Sequence, residues 1–412
     1  MSCADVYFLA KRFLRKKLHP RLPQIKAILF YLQLCIDIPL LALKICFKIP
    51  RGTVLLCLNS PASMGGTELQ VHLIAVRLKK MGLKPLVLTT GSLPKRSSSE
   101  FFKRLKQGEI AHFHLGNVGL AKHLLFQKCR TALFEKMQAD FCHCFNPTST
   151  LLIDSAKKAG LKIFYSETGW PEKGTWWSPL LTHIDKIESV AAISAASLSR
   201  LRTELGYKGP AMVIHSLIDP PSIPIRARSS VVKELKIVYF GCMHLEKGVQ
   251  LLLSAFQKFL PIYPSASLTF IGRGPVRRDL EKQVIHSKLE HHIFFSDFKR
   301  ENAFYEQISH FDLMCLPSFS EGAPCSILES LSIGLPVLAT CVGGIPELIE
   351  ENVSGILIPP HDETALVQAL TRFALDLPLR RRISENGLQR FQNHLTPARR
   401  IQQLHSLYTN DL

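Results

Sequence analysis

Two glutamates, Glu321 and Glu329, mark the part of this 412-residue sequence that is best suited to chemistry. Pro324 lies between them and suits the first position of a helix, because its missing N–H group would have no partner there. Glu321 would then lie in the loop before the helix, and Glu329 about 8 Å further along the helix axis. Such a spacing excludes a close carboxylate pair acting on one atom and suits opposite ends of one elongated ligand. The alternative is two solvated glutamates beside a surface helix.

The residues around the two glutamates predict the elements that would position them. Residues 313–316 form an apolar strand, residues 318–323 a loop of small residues, and residues 336–339 the start of the next strand. Gly334 is placed where a glycine commonly follows the last turn of a helix. The result is a βαβ unit whose helix N-terminus directly follows a glycine-containing loop, an arrangement that receives phosphate and other anions.

This block resembles the donor-sugar site of family-four retaining glycosyltransferases of the GT-B fold. The residues that carry the resemblance are EGAPCSILE at 321–329, GLPV at 334–337 and GGIPE at 343–347. Two further loops are similar to family motifs: GCMHLEKG at 241–248 resembles G-R-x-x-x-E-K-G, and GRGP at 272–275 resembles G-x-G-P. The resemblance extends over roughly residues 53–405 and is strongest from 235 to 360.

The resemblance implies transfer of a sugar from a nucleotide diphosphate to a hydroxyl group, with retention of the anomeric configuration. Glu329 would accept hydrogen bonds from the ribose diol, and Glu321 would hold the transferred sugar and stabilise its oxocarbenium-like centre. Lys247 would stabilise the charge that develops on the diphosphate. Without a second carboxylate near Glu321, departure and attack on the same face are favoured over a covalent intermediate. The other donor-binding positions that the resemblance implies are Gly241, Cys242, Gly272, Arg273, Gly322, Ala323, Pro324 and Cys325.

One departure from the family pattern affects the diphosphate. Cys242 replaces the arginine of the motif, so that one of two cations is absent. His244 and Arg273 are the neighbours that could compensate. The departure leaves open a non-catalytic, sugar-nucleotide-binding scaffold as an alternative function.

The first half of the chain resembles the acceptor side of the same family. Gly65, Gly66 and Glu68 at the start of a helix resemble the G-G-x-E loop, and the glycines would let a substrate approach the backbone closely. ADFCH resembles a strand that ends in aspartate, two residues and histidine. It makes His143 a candidate catalytic residue at the carboxyl end of a sheet, with a purely structural histidine as the alternative.

Thr168 replaces a histidine that the family often places near the reacting centre. A threonine cannot take a proton near neutral pH, so the protein would need a substitute or would work without one. Glu167, Glu172 and His143 are the substitutes that the sequence offers.

Strand-like runs alternate with helical segments along the chain, which predicts parallel, doubly wound sheets. Together with the resemblance, this pattern predicts two Rossmann-like domains that face each other across a cleft, at residues 51–222 and 223–395. The proline-rich and basic residues 220–228 would form the hinge. A final helix within residues 396–412 would cross back to the first domain.

Residues 1–50 differ from the rest and predict amphipathic helices that dock on a membrane. Residues 27–47 are apolar but are interrupted by Asp37, Pro39 and Lys44, so no uncharged stretch approaches the roughly 18 residues of a spanning helix. A narrow polar stripe with basic neighbours suits an anionic bilayer surface. The alternative is a helix that packs on the protein itself. No small-residue cleavage site follows, so no signal peptide is expected.

Composition restricts the partners and the location. The net charge of +18 favours anionic partners, and the eleven cysteines show no paired spacing, which favours free thiols in a reducing cytosol. We therefore expect a protein on the inner face of the cytoplasmic membrane. Its substrates would be a nucleotide sugar and a saccharide or lipid-linked acceptor of a bacterial envelope pathway. The resemblance implies no cofactor and no metal, and the chain contains neither D-x-D nor zinc-type spacing.

Two further alternatives remain at the level of the sequence. A nucleotide-sugar epimerase of the same scaffold would hydrolyse its donor and would want carboxylates or histidines on the first domain's loops. A nucleic-acid-binding protein is suggested by charge alone, and the chain lacks the helix-turn-helix, zinc or stacking-aromatic modules of that class.

Overall fold

The computed structural model describes residues 53–59, 66–90, 100–114, 131, 134–135, 139–145, 152–167, 180, 182–221, 234–299 and 302–409. The predicted membrane-docking extension (residues 1–50), most of the predicted hinge, Gly65 and Thr168 lie outside these residues. No helix in the described segments is both long and apolar enough to cross a bilayer.

The first domain is built on a seven-stranded, fully parallel sheet with the order β3-β2-β1-β4-β5-β6-β7. Its centre is apolar on both faces because helices cover both sides, as parallel sheets require. The register places Leu55 of the first strand opposite Leu86 on one side and Cys142 on the other. The strands are β1 (Thr53–Asn59), β2 (Lys84–Thr90), β3 (Ala111–His114), β4 (Ala139–Phe145), β5 (Lys162–Ser166), β6 (Ser189–Ala192) and β7 (Ala211–Val213).

The helices described in the first domain are α1 (Gly66–Lys80), α2 (Glu100–Gln107), α3 (Ile153–Lys158) and α4 (Ala195–Leu205). Helix α4 has clear sequence signals at both ends. Its N-cap, Ser194, accepts a hydrogen bond from the backbone N–H of Ser197 at 3.1 Å, and Gly206 ends it with a φ of 69°.

The second domain contains a six-stranded, fully parallel sheet with the order β10-β9-β8-β11-β12-β13. Its strands are β8 (Leu235–Phe240), β9 (Ala266–Ile271), β10 (Ile293–Ser296), β11 (Leu313–Leu316), β12 (Val337–Thr340) and β13 (Ile356–Ile358). Its helices are α5 (Val249–Phe259), α6 (Arg277–His286), α7 (Asn302–Ser309), α8 (Cys325–Ser332), α9 (Ile345–Leu348), α10 (Glu363–Leu375) and α11 (Leu377–His394).

The last helix, α12 (Pro397–Thr409), returns to the first domain. Leu404, Leu407 and Tyr408 are buried in one apolar cluster with Val54 and Leu56 of strand β1. The chain therefore passes between the two domains twice, once near residues 214–234 and once just before α12.

Both sheets confirm the predicted pair of doubly wound, Rossmann-like domains. In each sheet the strand order reverses next to a central strand, between β1 and β4 and between β8 and β11. Ligands of open α/β sheets bind at such switch points, outside the carboxyl ends of the strands. In the second domain, the two loops at this position carry Lys247 and Glu321.

Candidate functional site

Lys247 and Glu321 form an ion pair in the second domain, with Nζ and Oε1 separated by 2.9 Å. The Glu321 side chain is only 8% exposed, and the same oxygen accepts a hydrogen bond from Ser318 Oγ at 2.8 Å. Two residues that lie 74 positions apart in the sequence therefore meet, as the family motifs predict. The pair closes the gap between the loops after β8 and β11.

Glycine at position 248 allows these two loops to approach. The Leu245–Lys247 turn ends at Gly248, which has a φ of 65°, and a Cβ there would lie 2.0 Å from the carbonyl oxygen of Pro317. The backbone N–H of Phe319 also donates to the Glu246 carbonyl at 2.7 Å. Any side chain at position 248 would push Lys247 away from Glu321.

The Gly343–Gly344 pair supports the loop of residues 317–324, called the donor loop below. A Cβ at Gly343 would lie 1.7 Å from the Glu321 carbonyl oxygen, and Gly343 has a φ of 53°. The backbone N–H of Gly344 donates to the Gly322 carbonyl oxygen at 2.8 Å. Both glycines of the GGIPE motif are therefore required by contacts with the donor loop.

Glu329 lies on α8, which begins at Cys325; Pro324 is the residue before the helix, not its first residue as the sequence suggested. The Glu329 side chain is half-buried, and its carboxylate has no hydrogen-bond or ion-pair partner among the described residues. Burial raises the pKa of this carboxyl group to about 7. A partly buried acid without a partner is a common feature of ligand sites.

A second pair of glycines, Gly241 and Gly272, brings the ends of β8 and β9 together. A Cβ at Gly272 would lie 2.1 Å from the Gly241 carbonyl oxygen. Arg277, which the sequence motif did not assign, donates to the Gly272 carbonyl at 2.7 Å and to Asp297 at 2.6 Å. The arginine thus fixes this glycine turn from the side.

Arg273 is 80% exposed and forms an ion pair with Asp297 at 2.5 Å. Hydrogen bonds from Arg273 and Arg277 lower the pKa of Asp297 to about 2. His244 lies 3.9 Å from Glu246. Neither side chain is paired with the exposed Cys242. Compensation for the missing cation by His244 or Arg273 stays a prediction.

The start of helix α1 lies beside the start of α8. Gln70, on the second turn of α1, is buried; its amide bonds both backbone groups of Leu217 and reaches Cys325 Sγ at 3.6 Å. Gly66 and Glu68 occupy the first turn of α1, so the predicted acceptor-side residues within the described chain lie close to the donor helix. Gln70 was not found from the sequence, because a polar residue within a helical pattern gives no sign of what it contacts.

His143 is not part of this site. The ring is fully buried, with Nδ1 at 2.6 Å from Tyr408 Oη and Nε2 at 2.7 Å from Ser166 Oγ. Burial lowers its pKa to about 3, so it stays neutral. The prediction of a catalytic His143 is wrong, because helix α12 covers the ring and both nitrogens are used within the core.

The described residues contain no group of three or more histidine, cysteine, aspartate or glutamate side chains that could hold a metal ion. The second domain nevertheless contains the ammonium group of Lys247, the buried carboxylate of Glu321 and the carboxylate of Glu329, which has no partner among the described residues. Glycines beside them leave backbone groups accessible. Such a set can bind an anion and several hydroxyl groups at once.

The two parallel, doubly wound domains with this site define a protein of the GT-B fold. A structure of Anabaena HepE in complex with UDP-glucose superposes with a TM-score of 0.72 and 19% sequence identity, over 87% of this chain and 99% of that chain. A glycosyltransferase from Rickettsia africae superposes with a TM-score of 0.71 and 17% identity, over 87% and 98%.

Residues 224–390 match the family model of glycosyl transferases group 1. The amylovoran biosynthesis glycosyltransferase AmsK of Erwinia amylovora is 29% identical over 163 residues, which are 38% of this chain and 40% of that protein. The alpha-D-kanosaminyltransferase of Streptomyces kanamyceticus is 31% identical over 151 residues, 37% and 39%. The match thus spans about two fifths of the length of these curated relatives.

Proposed function

We propose that this protein transfers a sugar from a nucleotide diphosphate sugar to a hydroxyl group, with retention of the anomeric configuration and without a metal ion. The observation that carries the proposal is the part-buried Lys247–Glu321 pair, 2.9 Å apart, followed by a helix on which the carboxylate of Glu329 has no partner among the described residues. The complex of HepE with UDP-glucose supports a nucleotide sugar as the donor.

In the free protein, Lys247 and Glu321 neutralise each other. A bound diphosphate would compete for the Lys247 ammonium group, which would leave the Glu321 carboxylate free to accept hydrogen bonds from hydroxyl groups of the sugar. Glu329 would hold the ribose diol at the other end of the donor. Lys247 would thus exchange Glu321 for the diphosphate, and Glu321 would exchange Lys247 for sugar hydroxyls. Neither charged group is left buried without a partner, which keeps the cost of desolvation small.

The chemical step that follows from this placement is a displacement on one face of the sugar. The bond from the anomeric carbon to the diphosphate oxygen breaks, and its electron pair remains on the diphosphate, where Lys247 stabilises it. The acceptor oxygen bonds to the same face of the carbon and gives its proton to the departing phosphate oxygen. Glu321 stabilises the cationic centre between these two events.

For the acceptor, we propose a saccharide or lipid-linked saccharide of a bacterial envelope pathway, reached from the cytoplasmic face of the membrane. The names of the relatives include amylovoran and colanic acid biosynthesis enzymes. The net charge of +18 and the basic, apolar residues 1–50 support a position next to anionic lipid.

The test is incubation of the purified protein with a panel of nucleotide sugars, with and without acceptors, in buffer containing a chelator. We expect transferred sugar with the anomeric configuration of the donor, and Lys247→Ala should reduce transfer by about 100-fold or more. Lys258→Ala is the matched control, because Lys258 is an exposed lysine of the same domain that pairs with Glu363. Inverted product, or full activity in Lys247→Ala, would contradict the proposal.

The second candidate is a non-catalytic sugar-nucleotide-binding subunit, favoured by the thiol of Cys242 at a position where the family has an arginine. Saturable donor binding with no release of nucleotide under any acceptor would support it. Release of nucleotide in the absence of acceptor would support an epimerase that hydrolyses its donor. For each of these functions, Thr168→Ala should leave the affinity for the nucleotide sugar near normal.

A further inference from the structure

A carboxylate of the second domain is bonded to a helix of the first. Glu347, on helix α9, accepts hydrogen bonds from the backbone N–H of Ala195 at 2.8 and 2.9 Å and from that of Ala196 at 3.3 Å. These two residues begin helix α4 of the first domain. The contact joins residues that are 152 positions apart.

The first turn of α4 is completed by this contact. The first N–H groups of a helix have no partner within it and carry the positive end of the helix dipole. The Ser194 side chain accepts the N–H of Ser197, and the N–H groups of Ala195 and Ala196 are bonded instead to Glu347. A carboxylate is well suited to this position, because bonds from N–H groups to an ionised oxygen are about twice as strong as neutral ones.

Basic side chains also lie near Glu347, and burial lowers the pKa of His215 to about 4, so its ring is neutral near pH 7. Nε2 of His215 lies 3.5 Å from the Glu347 carboxylate, and Arg390 donates to the backbone carbonyls of Glu347 and Leu348 at 2.9 and 2.8 Å. Arg400 of helix α12 is buried nearby, and the negative charge of Glu347 offsets part of the burial that lowers the pKa of Arg400 to about 10.

The segment that carries Glu347 also supports the donor loop. Gly344, three residues earlier, bonds to the Gly322 carbonyl, and a Cβ on Gly344 would lie 2.6 Å from Ser194 Cβ. One short stretch of the second domain thus touches the residue after Glu321 and the N-cap of α4. The position of the donor loop relative to the first domain is set through this stretch.

We propose that Glu347 is a positioning residue that fixes the spacing between the two domains at the reacting centre. Its carboxylate holds the start of α4, and through Gly344 the same segment holds the donor loop that contains Glu321. Acceptor groups bound to the first domain are thereby kept at a set distance from the donor on the second. Only the consequence for transfer rests on the proposed function; the contact between the domains does not.

Hydrogen exchange of backbone amides tests the contact without any reaction. In Glu347→Ala, the amides of Ala195 and Ala196 should exchange about tenfold faster or more, with a smaller change in Glu347→Gln, which keeps one acceptor oxygen. Glu350→Ala is the control, because Glu350 is exposed, lies 3.9 Å from Arg390 and is not bonded to α4. Unchanged exchange in Glu347→Ala, with the unfolding temperature unaltered, would overturn the proposal.

A second variant removes one of the backbone N–H groups that bond to Glu347 and leaves the sequence of the second domain unchanged. Ala195→Pro deletes one N–H group at the first position of α4, where proline fits a helix, and Ser194 has the extended conformation (φ −156°, ψ 161°) that a residue before proline requires. The double variant Glu347→Ala/Ala195→Pro should be no worse than the more severe single variant. Fully additive effects would contradict a shared contact.

Kinetics separate positioning from donor binding. Because Lys247 and Glu329 both belong to the second domain, donor affinity in Glu347→Ala should stay within about twofold, whereas kcat should fall about tenfold and the acceptor KM should rise. A loss confined to donor affinity would refute positioning. If the unsubstituted protein transfers no sugar at all, the proposed function fails, and exchange at Ala195 still decides the role of Glu347.

Discussion

The two domains share one parallel, doubly wound plan, yet they use the carboxyl ends of their strands in opposite ways. In the second domain, the loops after β8 and β11 bring Lys247 and Glu321 together, and Glu329 has no partner in the part of the chain that the structure describes. In the first domain, His143 is sealed between Ser166 and Tyr408. The switch point of one sheet leads to the candidate site, whereas next to the switch point of the other sheet His143 is part of the core.

The difference shows how to tell a functional polar residue from a structural one in such folds. His143 has both nitrogens paired and no exposure, as buried polar groups in native cores do. Glu329 is half-buried, unpaired within the described chain and has a raised pKa. The state of their hydrogen bonds and the direction of their pKa shifts separate the two cases.

The largest expected effect comes from the donor loop. Glu321→Gln keeps the shape of the side chain and its bond to Ser318, and it removes the charge that would stabilise the sugar cation. We expect transfer to fall by roughly 10²–10³-fold, with donor affinity changed far less. Steady-state kinetics with the best donor of the panel measures both quantities.

Glu385→Gln is the matched control for this substitution, because Glu385 is an exposed glutamate of helix α11 that pairs with Arg381. Near-normal transfer in Glu321→Gln would show that the Lys247–Glu321 pair has a structural role only. The proposed difference between this pair and the structural His143 of the first domain would then be wrong.

The next effect concerns Glu329 and depends on pH. The carboxylate accepts hydrogen bonds from hydroxyls best when ionised, so donor affinity should be constant at pH values well above the pKa of about 7 and should weaken as pH falls through it. Glu329→Gln should lower affinity about tenfold or more at pH 8 and abolish the pH dependence. Calorimetric titration between pH 5.5 and 8.5 is the measurement. A profile that stays the same in the variant would exclude Glu329 as its source.

A smaller effect, on stability and not on chemistry, is expected at His143. Because its native pKa of about 3 lies below the ordinary value of 6.5, the unfolded chain binds the additional proton between these pH values. Stability should therefore rise with pH over this range, by at most about 1.4 kcal/mol per unit, and be constant above it. His143→Gln should flatten this rise.

The same variant separates the two roles of a histidine. His143→Gln should lower the unfolding temperature and keep transfer by the folded protein within about twofold. His405→Gln, on the covering helix α12, is the control, since His405 is not bonded to Ser166 or Tyr408. If His143→Gln lost transfer activity with an unchanged unfolding temperature, a catalytic role of His143 would be supported.

The smallest effect is expected from restoring the family arginine. Cys242 is exposed, so a guanidinium group there would act on the diphosphate through solvent-screened charge. Cys242→Arg should tighten donor binding by a few fold, and Cys242→Ser should leave it unchanged. A loss of affinity in Cys242→Arg would show that the diphosphate does not lie against this loop.

The sequence was sufficient to predict most of the second domain. The apolar run at Leu313–Leu316 is a strand with the predicted bounds, and Glu321 and Lys247 of two separate motifs lie 2.9 Å apart. Local patterns sufficed here because each motif directly follows a strand, and parallel strands bring their carboxyl ends to one edge.

What the sequence could not supply is contact between distant segments. Nothing near His143 indicates that Tyr408, 265 positions away, covers it. The partners of Gln70 and Glu347 are likewise set by packing between domains. Glu347 was noticed as the end of a motif, and its bond to Ala195 followed only from the tertiary structure.

The return of helix α12 also bears on how the protein is made. Val54 and Leu56 leave the ribosome long before the side chains that cover them, which are Leu404, Leu407 and Tyr408. Most of the second domain's core is synthesised between these two sets of residues, so this domain can fold while the first still exposes apolar surface. Vectorial synthesis therefore completes the second domain first, and removal of residues 404–408 would expose the core of the first.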